Sequence, residues 1–390
     1  VQAHCEAASG LIEQVMPLDE GPASLSEIYC HVPPTPRFTQ SSLFVSPDGR
    51  SIARAYHPGT LQVATLSNEV TWATWSEEIT SISPVYHDVA PIQWASDGLS
   101  IWAALQERMR PRGGWAIGPV RLINIRDGIT REMPVPQHPA GPLDAVQWIN
   151  GNGILLAEFG TRGSSDRPER ADINPTLAIV DGQNGRVLDS VTYSTLREIG
   201  GASHRYSRGF RGAHATVLSD GRVRVVTGGF GSWIVWTQGE LPVPLETPYP
   251  TGRQTNLTIT PDGRRVLAST LLRANGPICE HSPNCPAPTP DEGAWASLHD
   301  IRTGRTLWTI SGRAEAFGPV RPAVLRADGR YALLSMPPSS SGSPDLALIF
   351  MRDGAIMQRF RGSDNFGFSA RRREIWIEYG GLFVIYSVAN

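Results

Sequence analysis

Short apolar runs recur along the whole chain, some alternating with polar positions and some continuous, and each stops at a tight turn usually built on Asp-Gly. Seven such turns separate a first run from a second: Ser46-Pro47-Asp48-Gly49-Arg50, Ser96-Asp97-Gly98, Asn150-Gly151-Asn152-Gly153, Ser219-Asp220-Gly221-Arg222, Thr260-Pro261-Asp262-Gly263-Arg264, Ala327-Asp328-Gly329-Arg330 and the degenerate Ala370-Arg371-Arg372-Arg373. Runs of this length bounded by Gly, Asp and Pro read as strands. The second unit is the clearest, with strands predicted over 91–95, 100–107, 120–125 and 129–135. The second half of that phrase, a strand, a Gly turn and another strand, returns at 177–180 with 187–191, at 295–301 with 306–310 and at 346–350 with 355–360. No window keeps a helical period.

A unit of four short strands cannot bury its own apolar faces and must stack on neighbours, so a period of about 50 residues marks a repeat architecture. Seven units favour a propeller over a sandwich. The expected fold is all-β: a seven-bladed β-propeller of four-stranded antiparallel blades forming a single domain over 1–390, with the blades in 41–390. The last unit offers three strands, at 366–369, 374–379 and 382–388, before Asn390. Gly10-Leu11-Ile12-Glu13-Gln14-Val15-Met16-Pro17 has the look of a fourth strand such as Gly128-Ile129-Thr130-Arg131-Glu132-Met133-Pro134. It is therefore predicted to close the ring from within the 1–40 segment, which would leave the terminal blade without an open edge. Turns and repeats together resemble the seven-bladed propellers of the TolB-type and WD40-like group, a resemblance of architecture over about 380 residues. The Gly-His and Trp-Asp dipeptides of true WD40 repeats are absent, so that family's partners are not implied.

Composition narrows the picture in three ways. The net charge of −2 excludes a strongly basic nucleic-acid surface, leaving local clusters for electrostatic recognition. All 35 basic residues are Arg, so Schiff-base chemistry through Lys is excluded, and the cations are planar forks suited to carboxylate, sulfate or phosphate. The four cysteines form two sequence-local pairs, Cys5 with Cys30 and Cys279 with Cys285, expected as disulfides in an oxidising compartment. Val1 at the start and the lack of a long apolar segment fit a processed, periplasmic or secreted protein with no membrane span. No metal or other cofactor is expected.

In an antiparallel meander the connections alternate between the two ends of the blade. The long segments, 108–119, 160–174, 273–293, 337–343, 76–90 and 193–211, all fall at one end, which is where binding and catalysis concentrate on a rigid scaffold. The first residues of the inner strands, Ser41, Gln93, Asp144, His214, Gln254, Arg321 and Asn365, are expected to ring the channel mouth there, holding either a ligand or water. Arg197, His204, Arg205, Tyr206, Arg208, Arg211 and His214 form a second cluster. It can grip carboxylate or sulfate groups, or pair with Asp166, Glu169 and Asp172 of the neighbouring insertion. Most Trp residues fall on strands and read as packing between blades; Trp115, placed in a Gly-rich loop, reads as a stacking platform. The functional expectation is an extracytoplasmic binding or assembly module meeting a protein or an anionic glycan, with membership of a larger assembly open. The alternative is a lyase on a uronate polysaccharide, with Tyr206 or His214 removing a proton and Arg205 or Arg208 neutralising the enolate.

Overall fold

The computed structural model describes residues 25–31, 42–48, 50–56, 60–65, 72–76, 92–109, 114–124, 129–141, 143–149, 151–160, 174–200, 213–228, 233–245, 255–270, 291–314, 323–336, 345–360, 365–369, 374–379 and 382–388. These form a β-propeller of four-stranded antiparallel sheets. Strand β1 (Leu25–His31) comes first in sequence and is used last. Six blades are meanders of consecutive strands. The first holds β2 (Ser42–Val45), β3 (Ser51–Tyr56), β4 (Thr60–Thr65) and β5 (Trp72–Ser76), and the second β6 (Ile92–Trp94), β7 (Ser100–Met109), β8 (Gly114–Asn124) and β9 (Thr130–Met133). The third holds β10 (Leu143–Trp148), β11 (Ile154–Phe159), β12 (Thr176–Asp181) and β13 (Arg186–Thr192), and the fourth β14 (Ala213–Val217), β15 (Val223–Gly228), β16 (Trp233–Thr237) and β17 (Val243–Leu245). The fifth holds β18 (Thr255–Ile259), β19 (Arg265–Thr270), β20 (Asp291–Asp300) and β21 (Thr306–Ala314), and the sixth β22 (Val324–Leu325), β23 (Tyr331–Met336), β24 (Asp345–Phe350) and β25 (Ile356–Phe360).

The seventh sheet is composite. β26 (Asn365–Phe368), β27 (Glu374–Tyr379) and β28 (Leu382–Val388) pair in order, and β1 adds to β28 with Leu25 opposite Val388 and His31 opposite Phe383. Closure from the N-terminal side is as expected, but the strand that performs it is 25–31 rather than 10–17, and 10–17 lies outside the described residues. A register shift between Glu27 and Tyr29 leaves Ile28 without an opposite number, which breaks the alternation that would have advertised this strand. Strand β2 packs beside β26, and β22 also packs beside β26, so the first and sixth blades both meet the composite sheet. A second correction concerns helix. Residues 193–200, read as loop, form α1 (Tyr193–Gly200), begun by Thr192, whose Oγ1 accepts the Thr195 N–H at 3.2 Å as an N-cap.

The Asp-Gly turns follow from local chemistry. In 260–264 the Asp262 carboxylate accepts the Arg264 N–H at 3.0 Å and the Thr260 hydroxyl at 2.6 Å, and Gly263 takes φ +69°, which costs a glycine little. Asp48, Asp97, Asp220 and Asp328 capture the N–H two residues on in the same way. Between blades the core is aliphatic and aromatic, and indole N–H groups tie neighbouring backbones together. Trp94 donates to the Phe44 carbonyl at 3.0 Å, Trp102 to Gly151 at 3.1 Å and Trp308 to Met351 at 2.9 Å. Threonines on inner strands also bond the backbone of the next blade: Thr216 donates to the Pro261 carbonyl in the turn after β18 at 3.4 Å, and Thr258 to the Ala323 carbonyl just before β22 at 3.2 Å.

Candidate functional site

The two ends of the propeller differ in construction. Connections between first and second strands, 46–50, 95–99, 149–153, 218–222, 260–264, 326–330 and 369–373, are five residues each. Those between third and fourth strands in the six meander blades are four to six residues. At the other end the connections include 77–91, 160–175, 193–212 and 271–290. That end carries the candidate site.

Two ladders also overrun their blades there. β7 and β8 are 10 and 11 residues long, and β20 and β21 are 10 and 9, against 3 to 6 for the other strands of the same two blades. The segment 108–119, expected as a loop, is mostly this β7–β8 ribbon, and only 110–113 connects it. Trp115 therefore lies on β8, opposite Arg108, and not in a loop. Along the ladder β7 advances two residues from Ala104 to Gln106 while β8 advances three, from Val120 to Ile117. The extra residue falls at Gly118-Pro119, where proline has no N–H for a ladder and glycine tolerates the kink.

On the same side, the seam between the third and fourth blades holds a buried carboxylate. Glu158, near the end of β11, is 1% exposed, and the Tyr193 hydroxyl donates to its Oε1 at 2.7 Å. Burial of a carboxylate requires such donors. Tyr193 opens α1, which packs beside β13, β16 and β17 with Leu196 buried and Arg197 exposed. Thr227, at the upper end of β15 opposite Ala213, is fully buried and its hydroxyl has no hydrogen-bond partner. Glu378, 2% exposed, occupies the same place on β27 as Glu158 does on β11, and both precede an aromatic residue and a glycine. These two glutamates were not among the expected site residues. A lone carboxylate near the end of an apolar second strand is the signal that would have found them. His138, in the connection entering β10, stacks on Phe159 with centroids 5.2 Å apart, and burial lowers its pKa.

The expected channel-mouth ring is described only in part. Gln93 is half-buried on β6, Asp144 lies on β10 and Asn365 on β26, while Ser41, Gln254 and Arg321 lie outside the described residues. His214 lies on β14, where its Nδ1 accepts the Ile259 N–H of the fifth blade at 3.4 Å, so it covers the neighbouring inner strand's edge. Burial lowers its pKa to about 4, which makes it a weak base held neutral. Of the Arg/His/Tyr cluster, Arg197 stands on α1; His204, Arg205, Tyr206, Arg208 and Arg211 lie outside the described residues, between the end of α1 and the start of β14. Asp166, Glu169 and Asp172 lie outside them too, as do Cys5, Cys279 and Cys285. Cys30 is on β1, opposite Val384. Asn256, part of a glycosylation sequon, is 7% exposed on inner strand β18. Among the described residues no three His, Cys, Asp or Glu gather as metal ligands would, and no helix is long and apolar enough to cross a membrane. No protein-family model and no curated protein sequence matches the chain.

Proposed function

We propose that this propeller is an extracytoplasmic binding module that presents its elaborated end to a protein or an anionic glycan. The observation that carries this reading is that the two overlong ladders, β7–β8 and β20–β21, project at the same end that holds the longest connections. The opposite end is trimmed to turns of four to six residues. A scaffold whose blades are tied by Trp-to-carbonyl bonds holds such projections rigidly, which lowers the ordering cost of capture. The arginines between α1 and β14 supply forks for carboxylate or sulfate groups at that end. The lyase alternative draws no support from His214, committed to the Ile259 backbone, and would rest on Tyr206.

The test is a binding panel of anionic oligosaccharides, together with partners that copurify with the full chain. Replacing Arg205, Arg208 and Arg211 together by Ala should abolish capture and leave the thermal midpoint unchanged. Undiminished capture would refute the role of the cluster. New ultraviolet absorbance from an unsaturated sugar product would replace the binding reading with the lyase one.

A further inference from the structure

We infer that the trimmed end of the fifth and sixth blades is a docking surface for an anionic lipid membrane. The inference is independent of what the elaborated end captures, since it concerns the opposite face. In the fourth blade the two connections at the trimmed end meet and close a charge. Arg222 of the first connection donates to Asp220 at 2.8 Å and also to Glu240 of the other. The fifth and sixth blades make the same meeting with the opposite outcome. The Ile301 N–H donates to the Arg264 carbonyl at 2.9 Å, and the Met351 N–H to the Arg330 carbonyl at 2.9 Å. The connection that supplies an acid in the fourth blade supplies Arg302 and Arg305 in the fifth and Arg352 in the sixth.

The carboxylates of this sector are already committed. Asp262 accepts the Thr260 hydroxyl and the Arg264 N–H, and Asp300 accepts the Thr303 N–H and hydroxyl, both at 2.8 Å. Asp328 pairs with Arg326 at 3.3 Å and Asp353 with Arg352 at 3.4 Å. Arg264, Arg265, Arg302, Arg305 and Arg330 are exposed and have no ion-pair partner among the described residues. Like charges gathered in one sector repel unless an anion answers them. Aromatic rings hold part of the set in place: Arg326 and Arg330 lie 5.4 and 6.0 Å from the Tyr331 ring, that ring lies 5.4 Å from Phe350, and Arg352 lies 5.2 Å from Phe350.

The shape of the sector selects the partner. Its connections are all described and are five residues each, too short to wall a groove that a polymer would follow. The arginines are spread over inner and outer connections of two blades. A plane of lipid headgroups answers them together, each guanidinium donating to a phosphate. Leu307, two residues from Arg305, is skipped by the β20–β21 pairing and is 44% exposed, so it can enter the boundary between headgroups and acyl chains. An acidic peptide would answer only the guanidiniums along its path and would leave Leu307 in water.

The experiment is cosedimentation of the full chain with vesicles of phosphatidylcholine alone and of phosphatidylcholine mixed with phosphatidylglycerol, at low and high salt. Binding should need the anionic lipid and fall as salt is raised. R302E/R305E and R264E/R330E should each weaken it about tenfold or more without lowering the melting midpoint. R50E/R186E removes two exposed arginines of the same end, from the first and third blades, with the same change in net charge, and should bind within about twofold of the parent. L307S should lose affinity while keeping the salt dependence. Equal binding to pure phosphatidylcholine would overturn the surface, as would a loss in R50E/R186E as large as in R302E/R305E, or R302E/R305E binding as the parent does. Capture of poly-glutamate or a sulfated glycan through these arginines, with no vesicle binding, would also overturn it. R205A/R208A/R211A should leave vesicle binding intact, so failure of the cluster at the elaborated end and failure of this surface are read separately.

Discussion

Replacing Gly153 by Ala should destabilise the seam between the second and third blades far more than the same replacement at Gly221. Both glycines have nearly the same backbone, φ +85° and +84°, so the strain of placing a Cβ in the left-handed region is shared, about 1–2 kcal/mol. Their surroundings differ. At Gly221 an added Cβ meets nothing within 4 Å, whereas at Gly153 it lies 2.8, 3.1 and 3.2 Å from three atoms of the Trp102 ring. Trp102 cannot easily yield, since its indole N–H is bonded to the Gly151 carbonyl at 3.1 Å and its ring lies 5.5 Å from that of Trp148. Overpacking of this kind costs about 1–3 kcal/mol. The lost backbone freedom of the unfolded chain offsets about 0.5 kcal/mol at both sites. G153A is therefore expected to lose about 2–4 kcal/mol and G221A about 1, measured as the shift of the urea midpoint at unchanged slope. Equal losses would show that the Trp102 ring relaxes freely and that the seam is not the rigid joint described above.

Two further outcomes concern buried polar groups. His214 and His299 both have pKa values lowered by burial to about 4, and His299 is held between Ser297 at 2.6 Å and Thr306 at 3.2 Å. Unfolded histidine titrates near 6.5, so between about 4 and 6.5 the unfolded chain binds more protons. Stability should be fully present above pH 6.5 and fall as the pH drops through that window. H214Q, which keeps an acceptor for the Ile259 N–H, should flatten the fall, and urea midpoints at several pH values that run parallel to the parent's would contradict this. Y193F should leave the Glu158 carboxylate one donor short at a cost of about 1–3 kcal/mol, and amide exchange should quicken in α1 before it does in β12. Unaltered protection in 194–200 would mean that the hydroxyl does not anchor the helix.

What could be read from the sequence was what local chemistry decides. The Asp-Gly phrases located the turns because Asp262 and its equivalents bond their own backbone two residues on, whatever lies around them. In the second unit the expected strands 91–95, 100–107, 120–125 and 129–135 overlap Ile92–Trp94, Ser100–Met109, Gly114–Asn124 and Thr130–Met133. What failed depended on partners distant in sequence. Likeness to other fourth strands points to 10–17 as the closing strand, yet pairing with β28 selects 25–31, across a shift that hides its alternation. Gly114, Gly118 and Pro119 looked like loop formers, but they sit at a strand start and an irregularity of a two-stranded ladder, where they are tolerated. Helix α1 has two turns and one buried residue, too few positions for a period to show. Strand counting puts His214 near the start of inner strand β14, where it lies, but does not say which neighbour its ring nitrogen meets.

Because the composite sheet joins β1 to β28, β1 leaves the ribosome long before the partner it must wait for. At ordinary elongation rates of about 5–20 residues per second, the stretch separating them takes on the order of 20–70 s to synthesise. Throughout that interval the nascent torus lacks its clasp, and its two loose margins are free to engage other chains. The same geometry gives a handle on the mature protein: detaching 25–31 would lay bare the β28 margin without disturbing a single meander, so sensitivity to proteolysis should begin there.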